Sequence, residues 1–422
     1  MSPFINEDVL RMVNRHSLYR GPDCPHPKVP TTVEVFAPGG DLMLVVGKWK
    51  CTNRSCILGQ LKGPNALWFR VDSVILAGAS PALGFILYSP STVAARTDGV
   101  QWIVQLADDN PPAFRTFISI LYGHHPIIVS DEHMELEHLL HLTILADKYD
   151  LAYHFLPWSA QWVQDMEPYW AGRDFAREST EDLESLLWIF WVLGHEPLYT
   201  YMILQIAFHC ELDAAGQFTD PSGHLCFTND IYEVPVPPCA LFEIGHSRIE
   251  VLKMIRKDIK ATLEEHLHGN QKKMWLRCRR MDGANDWAWR RGILRPFVEM
   301  LEDKGIWPLP SAYALTASPR SLMEMFRANP SIPSFIHHRD GRFCEANGPF
   351  WERIEKLLRE VRFTLPAQSA NHLREQAEKS GLASYFQSKD LGIYLDKGSW
   401  NVKEVVEFHE AIAKIGSSPA EE

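Results

Sequence analysis

The stretch FRVDSVILAGASPALGFIL (residues 69–87) decides the fold of the N-terminal part of this chain. Phe69 and Val71 point to the same side of an extended backbone, which predicts the end of a β-strand. The apolar run that follows has the composition of a helix and is interrupted at Ser80 and Pro81. Because serine is a preferred N-cap and proline is tolerated in a first turn, the interruption predicts a second helix that starts there.

Three neighbouring stretches extend this pattern. DLMLVVG (residues 41–47) and VQWIVQL (residues 100–106) are apolar runs of strand length, and the first predicts a hairpin with the strand that ends near Val71. PPAFRTFISILYG (residues 111–123) spaces its apolar side chains as one stripe and ends at Gly123. That combination predicts a helix with one buried face.

The stretch LTILADKYDL (residues 142–151) allows two interpretations. Its polar residues 147–150 are either the acid and base groups of an active site or the capped end of a buried helix. Helical spacing favours the second, because the Tyr149 ring continues an apolar stripe. The members of this stripe are Leu139, Leu142, Ala146 and Tyr149. The sequence therefore predicts a helix end at which Asp147 or Tyr149 makes a local hydrogen bond.

In this order, DLMLVVG, FRVDSVILAGASPALGFIL, VQLADDNPPAFRTFISILYG and LLHLTILADKYDL resemble the BTB/POZ domain family. The family shows an Asp-led strand, a strand entering a "vLaarSpvF" helix, a "v.L.dd…F..ll.ylYg" unit and a final "l..la.kY.l" helix. The resemblance covers residues 33–155. It implies a small sheet flanked by a cluster of helices, a role in protein association, and a structural role for ADKYDL.

The sequence departs from the family at three places. Asp72 stands where the family commonly has histidine, and roughly 20 residues are inserted between the first two strands, which is long for a hairpin loop. The stretch LYSPSTVAARTDGVQ (residues 87–101) lacks the hydrophobic-x-Glu motif by which many cullin-binding BTB domains hold their cullin. This absence weighs against the narrower role of a cullin ubiquitin-ligase adaptor.

Composition is that of an ordinary globular protein, with 422 residues of which 46% are hydrophobic. The net charge of −11 opposes binding to nucleic-acid backbones. The start of the sequence has no apolar run of signal-peptide length, and no stretch reaches the roughly 20 apolar residues that span a bilayer. We therefore expect a cytoplasmic or nuclear location, no membrane partner, and 8 reduced cysteines.

The expected fold class is α+β, with a BTB/POZ-like domain followed by a mainly α-helical C-terminal region. The expected ranges are a flexible N-terminal arm at 1–32, the BTB/POZ-like domain at 33–156, the helical region at 157–416 and a tail at 417–422. The Pro-rich segment YEVPVPPCALF (residues 232–242) is a candidate point of division of the helical region. An amphipathic stripe beyond residue 247 predicts a helix there, and its members are Leu252, Ile255, Ile259 and Leu263.

Two clusters have metal-binding residue types without a metal-binding spacing. Cys51 and Cys56 have no second cysteine pair to complete four zinc ligands, so two loop thiols are preferred over a zinc or redox site. His133, His138 and His141 share a predicted helix but not the HExxH spacing, so a solvated polar face is the preferred interpretation. We expect neither a metal nor another cofactor.

Catalytic motifs are missing from the sequence. It contains no GxSxG, no Cys/His nucleophile signature, and neither of the phosphate-binding patterns GxxxxGK[ST] and GxGxxG. We therefore expect no enzymatic activity. An enzyme of the helical region is kept as a third hypothesis, because catalytic triads are recognised by geometry and not by sequence position.

The leading hypothesis is a non-enzymatic protein–protein interaction module that forms homodimers or binds protein partners through the BTB/POZ-like domain. A narrower form makes the chain a cullin substrate adaptor. Candidate partner-binding residues are Asp41, Asp72, Leu83, Phe85 and Tyr88.

The alternative is a nucleic-acid-associated or transcriptional regulator that uses the basic segment KKMWLRCRR (residues 272–280), although the net charge disfavours a nucleic-acid partner. The cations of this segment are Lys272, Lys273, Arg277, Arg279 and Arg280. The competing interpretation of the segment is the exposed face of a basic helix in an acidic protein.

Overall fold

A computed structural model of the protein describes residues 33–47, 66–90, 102–124, 133–170, 181–227, 234–268, 295, 298–328, 335–336, 343–344 and 363–388. Within these residues the chain is mixed α+β and mostly helical, so the expected fold class is confirmed at this level. No helix in the described ranges is long and apolar enough to cross a membrane. The predicted arm and tail, at 1–32 and 417–422, lie outside the described residues.

The described residues group into two compact units. The first takes its residues from Met1–Tyr169, Trp188–Gly194 and Leu373–Phe386, and the second from Trp170–Leu187, His195–His372 and Gln387–Glu422. The predicted domain boundary after residue 156 and the predicted division at 232–242 stay predictions.

The elements follow one another in chain order. The strands are β1 Glu34–Val35, β2 Leu42–Val46, β3 Leu67–Val71, β4 Trp102–Leu106, β5 Glu211–Leu212, β6 Phe218–Thr219, β7 Phe335–Ile336 and β8 Phe343–Cys344. The α-helices are α1 Ser73–Ala79, α2 Pro81–Tyr88, α3 Pro111–Leu121, α4 Leu136–Tyr149, α5 Ser159–Asp165, α6 Glu181–Leu193, α7 Glu196–His209, α8 Ala240–His268, α9 Pro319–Ala328, α10 Ala367–Ser380 and α11 Leu382–Ser388. Short 3₁₀ helices cover Ala152–Phe155, Glu167–Tyr169 and Ala312–Ala314, and a further helical stretch covers residues 298–303.

Within the described residues, the first unit contains a four-stranded mixed sheet of order β1-β3-β2-β4. Strand β2 pairs antiparallel with β3, which confirms the predicted hairpin, and parallel with β4. Strand β1 pairs parallel with β3. The sequence did not predict β1, because two residues are too few to show the alternation that identifies a strand.

Ser80 starts α2 as the sequence predicts. Its hydroxyl accepts a hydrogen bond from the Leu83 amide at 3.0 Å, and Pro81 occupies the first turn. The same hydroxyl donates to the carbonyl of Tyr149 at 2.6 Å, in a buried position. The cap of α2 is therefore also bonded to the last residue of α4.

The polar end of α4 is a structural brace. Tyr149 is 1% exposed, and its hydroxyl donates to Asp109 Oδ2 at 2.5 Å, while the Lys148 ammonium pairs with the other oxygen of that carboxylate. Burial, and then the Asp109 charge, raises the pKa of Tyr149 well above its ordinary value, so the hydroxyl stays a protonated donor. The buried Tyr149 agrees with its predicted stripe. For Tyr149 the predicted local bond is wrong, because the partner of its hydroxyl, Asp109, lies 40 residues away in sequence.

The amphipathic stripe predicted beyond residue 247 is confirmed in α8, since Leu252, Ile255, Ile259 and Leu263 are all buried. The polar residues Glu243, Ser247 and Arg248 of this helix are buried as well. The guanidinium of Arg248 donates to the carbonyls of Leu315 at 2.9 Å and Ala317 at 2.8 Å, and to Cys210 on the other side at 3.3 Å. Burial lowers the pKa of Arg248. Its hydrogen bonds hold the segment that follows the Ala312–Ala314 turn.

We predict that Tyr149→Phe lowers the free energy of unfolding by about 1–3 kcal/mol, because a buried acceptor loses a partner. The Asp109 side chain is only 2% exposed, so water does not replace the lost hydroxyl. Urea denaturation of the full chain measures the change. Tyr153→Phe is the control, since Tyr153 is 43% exposed and the Ala79 carbonyl to which its hydroxyl donates also lies 3.1 Å from His154 Nε2. Equal losses in the two variants would contradict the brace.

Candidate functional site

Asp41 and Asp72 meet at the first turn of α1. Asp72 is the N-cap, and its Oδ1 accepts hydrogen bonds from the amides of Val74 at 2.8 Å and Ile75 at 3.2 Å. Asp41 accepts from the Ser73 amide at 2.9 Å through Oδ1 and from the Ser73 hydroxyl at 2.8 Å through Oδ2. Three amides that a helix start leaves unpaired are thereby satisfied, at the end where the helix dipole favours negative charge.

Tyr88, at the end of α2, is tied to the same point. Its hydroxyl lies 2.8 Å from the Ser73 hydroxyl, and its ring packs edge-on against Trp102 with centroids 5.9 Å apart. The amide of Asp72 donates to the Tyr122 hydroxyl at 2.8 Å. The start of α1 and the end of α2 are therefore fixed to each other and to the elements beneath them.

Four large apolar side chains are exposed on this helix pair. Val74 is 69% exposed, Ile75 40%, Phe85 40% and Tyr88 45%, and these four residues are called the α1–α2 surface below. The two helices pack together, and the Tyr88 hydroxyl bonds to Ser73, the residue before Val74. The exposed side chains of both helices therefore belong to one packed helix pair. Clustered apolar exposure of this kind is typical of protein-binding sites.

The two helices contribute no charge to the α1–α2 surface, and the half-exposed carboxylate of Asp72 caps the amides of two of its members, Val74 and Ile75. Helices α1 and α2 have the sequences SVILAGA and PALGFILY, without an acidic or basic residue. Gly78 adds open space, because a Cβ built there meets no atom within 4 Å. Depletion of charge at the centre of an exposed apolar patch distinguishes interface cores from ordinary surface.

The predicted partner-binding residues divide into three groups. Phe85 and Tyr88 are exposed, and Asp41 and Asp72 lie together at the start of α1, where they serve as caps. The prediction that Leu83 contacts a partner at the surface is wrong, because Leu83 is 2% exposed and packs in the core of the first unit.

Sequence reasoning missed Val74 and Ile75. The signal in the sequence was a helix that is apolar on all sides, since Leu76 and Ala79 already supply its buried face. In so short a helix, apolar residues beyond the buried face indicate a second apolar face at the surface.

The other candidate residues do not form a site in the described part of the chain. His133, His138 and His141 take separate partners, namely Asp165, Thr116 and Glu137. Burial lowers the pKa of both His138 and His141. No group of three or more His, Cys, Asp or Glu side chains in the described ranges is placed to hold a metal ion.

Several predicted residues lie outside the described residues. They are Cys51, Cys56, Lys272, Lys273, Arg277, Arg279 and Arg280.

No protein-family model, no curated protein and no solved structure matches this chain.

We predict that Asp72→Ala lowers the free energy of unfolding by about 1 kcal/mol, because α1 loses its N-cap. Asp72→Asn is the matched control and is expected to retain most of the stability, since asparagine caps a helix as well as aspartate does. Urea denaturation with both variants checks this. Equal losses would mean that the carboxylate charge, and not the cap, matters at position 72.

Proposed function

We propose that this chain is a non-enzymatic protein–protein interaction module whose first unit is a BTB/POZ-like domain. In this proposal the α1–α2 surface binds protein partners, a second copy of the chain included. The observation that carries it is an uncharged helix pair with four exposed apolar side chains. Leaving such a surface in water is unfavourable, at about 25 cal/mol per Å² of apolar area.

The order of elements supports the BTB/POZ assignment. The β2–β3 hairpin leads directly into the α1–α2 pair, and β4 then joins the sheet beside β2 before α3 and α4 follow. A small sheet with a cluster of helices is what the sequence resemblance implies. The brace at Tyr149 gives the ADKYDL stretch a structural role, again as the resemblance implies.

The rigidity of the α1–α2 surface supports a role in binding. Asp41, Asp72 and Ser80 satisfy the starts of both helices, so their backbones are held before any partner arrives. Binding then costs little ordering entropy beyond that of a few side chains. A two-fold dimer is the simplest use of this surface, because an apolar patch is complementary to its own copy.

We predict that the full chain self-associates and that the double variant Val74→Glu, Phe85→Glu lowers its dimer affinity by at least about tenfold, since two charges would be buried without partners. Sedimentation velocity over a concentration series measures this. Phe242→Glu is the matched control, because Phe242 is 70% exposed but belongs to the second unit.

A second variant separates a folding defect from a binding defect. Gly78→Glu adds a charged side chain where the chain itself leaves open space, so it is expected to fold and still to weaken the dimer. A monomeric wild-type chain at every concentration would remove self-association. A Phe242→Glu effect equal to that of the double variant would remove the assignment to the α1–α2 surface.

The narrower form of the proposal, a cullin adaptor, has its own test. Affinity purification of the full chain should then recover a cullin, although the stretch at residues 87–101 lacks the hydrophobic-x-Glu motif. Recovery of a cullin by wild type and not by a chain deleted for residues 33–155 would support the adaptor. Partners without any cullin would remove the adaptor and leave the interaction module.

A further inference from the structure

Four cations form one face of α8 in the second unit. Lys253, Arg256, Lys257 and Lys260 are three, four and seven residues apart, which places them on one side of a helix. Together with Ser311, Ala312 and Tyr313 they line an open cavity of about 370 Å³, and the surface that these residues present to it is mainly apolar. This cavity and its seven lining residues are called the cationic groove below. No carboxylate lines it.

The wall opposite the cations is held in place. The Arg256 guanidinium donates to the carbonyl of Pro310 at 2.8 Å, just before the Ala312–Ala314 turn, and Ala312 is buried. The buried Arg248 holds the carbonyl of Leu315 just after the turn. The turn is therefore bonded to α8 on both sides, through Arg256 and Arg248.

Tyr313 presents an aromatic ring at the edge of the groove. The residue is 67% exposed, although the turn that carries it is fixed. The Lys253 ammonium lies 5.4 Å from the centroid of the ring. A flat ligand group could therefore stack on the exposed Tyr313 ring, beside the cations of α8.

The positive charge of the groove is only partly neutralised. Lys253 pairs with Glu250 at 2.7 Å and Lys260 with Glu264 at 3.5 Å, on side chains that are about half exposed, where such pairs are weak. Lys257 pairs with no carboxylate in the described part of the chain. Like charges at this spacing repel one another, and a bound anion would relieve the repulsion. The whole chain has a net charge of −11, so this face is opposite in sign to the chain as a whole.

We propose that the cationic groove binds a nucleotide, with its phosphate groups on the α8 cations and its base beside Tyr313. Seven helical residues span about 10 Å, which suits two or more linked phosphates better than one. The cavity volume lies within the 300–1,000 Å³ range typical of small-ligand sites. Stacking of a base on an aromatic ring explains the exposed Tyr313. A free nucleotide and the end of a nucleic-acid strand present this same chemistry.

Calorimetric titration of the full chain tests the proposal with defined probes. ATP without magnesium is expected to bind, tripolyphosphate to bind more weakly, and adenosine to show no binding. Rising salt should weaken both phosphate probes, because the cations are exposed. The affinity for a short oligouridylate is then compared with the affinity for ATP. Tighter binding of ATP would indicate a free nucleotide as the natural ligand, and tighter binding of the oligouridylate would indicate the end of a nucleic-acid strand.

Two variants and a control assign the binding to the groove. Lys257→Glu is expected to lower the affinity for ATP at least about tenfold through the lost charge-assisted contact. Tyr313→Ala should reduce ATP binding to the level of tripolyphosphate and leave tripolyphosphate unchanged. Lys304→Glu makes the same charge change at an exposed residue of the second unit outside the groove, and it should have no effect.

Three results would overturn the proposal. The first is no binding of any phosphate probe by the wild-type chain. The second is an equal loss in Lys257→Glu and Lys304→Glu, which would mean non-specific attraction to charge. The third is tighter, Lys257-dependent binding of a polyglutamate peptide than of ATP, which would make the groove a site for acidic peptides.

Discussion

The first unit depends on how the start of α1 is satisfied. A helix of seven residues is too short to be stable in isolation, since nucleation is costly and propagation must repay it. Asp72 and Asp41 supply acceptors for its first amides, and Ser80 does the same for α2. Because these caps stabilise the helix ends, neither helix has to bury every apolar side chain in order to form. The apolar side chains that are left over face outward and create the α1–α2 surface.

The second unit uses a buried cation for a comparable purpose. Carbonyl groups outside regular structure need donors when they are removed from water. The guanidinium of Arg248 supplies several donors from one side chain and binds backbone on two sides, at Cys210 and at Leu315. A buried charge of this kind is costly unless its hydrogen bonds are made. The hydrogen bond from Arg248 to the Leu315 carbonyl then holds the turn that carries Tyr313. A buried contact therefore helps to position one wall of the exposed cationic groove.

Local features of the sequence predicted local features of the structure. Ser80 and Pro81 identified the start of α2 because capping involves only neighbouring residues. The spacing of Tyr149 within its apolar stripe showed which face of α4 is buried. The partner of Tyr149 was not predictable in the same way, because Asp109 lies 40 residues away and no pattern links the two positions. Leu83 was placed at the surface in error, since an apolar run without polar residues does not show which side faces the core. For the same reason Val74 and Ile75 were missed. The cationic groove could not be predicted from the sequence, because α8 and the turn at Tyr313 are far apart along the chain and only the fold brings them together.

The two bonds of Ser80 have a consequence for the order in which the first unit folds. Its bond to the Leu83 amide spans three residues and forms as soon as α2 begins. Its bond to the Tyr149 carbonyl spans 69 residues and requires α4 to be in place. Closing so long a loop is slow, because the chain entropy is lost before the contact is gained. We therefore expect one hydroxyl to take part in an early local event and a late distant one, with the helix pair held at both contacts only once α4 has docked.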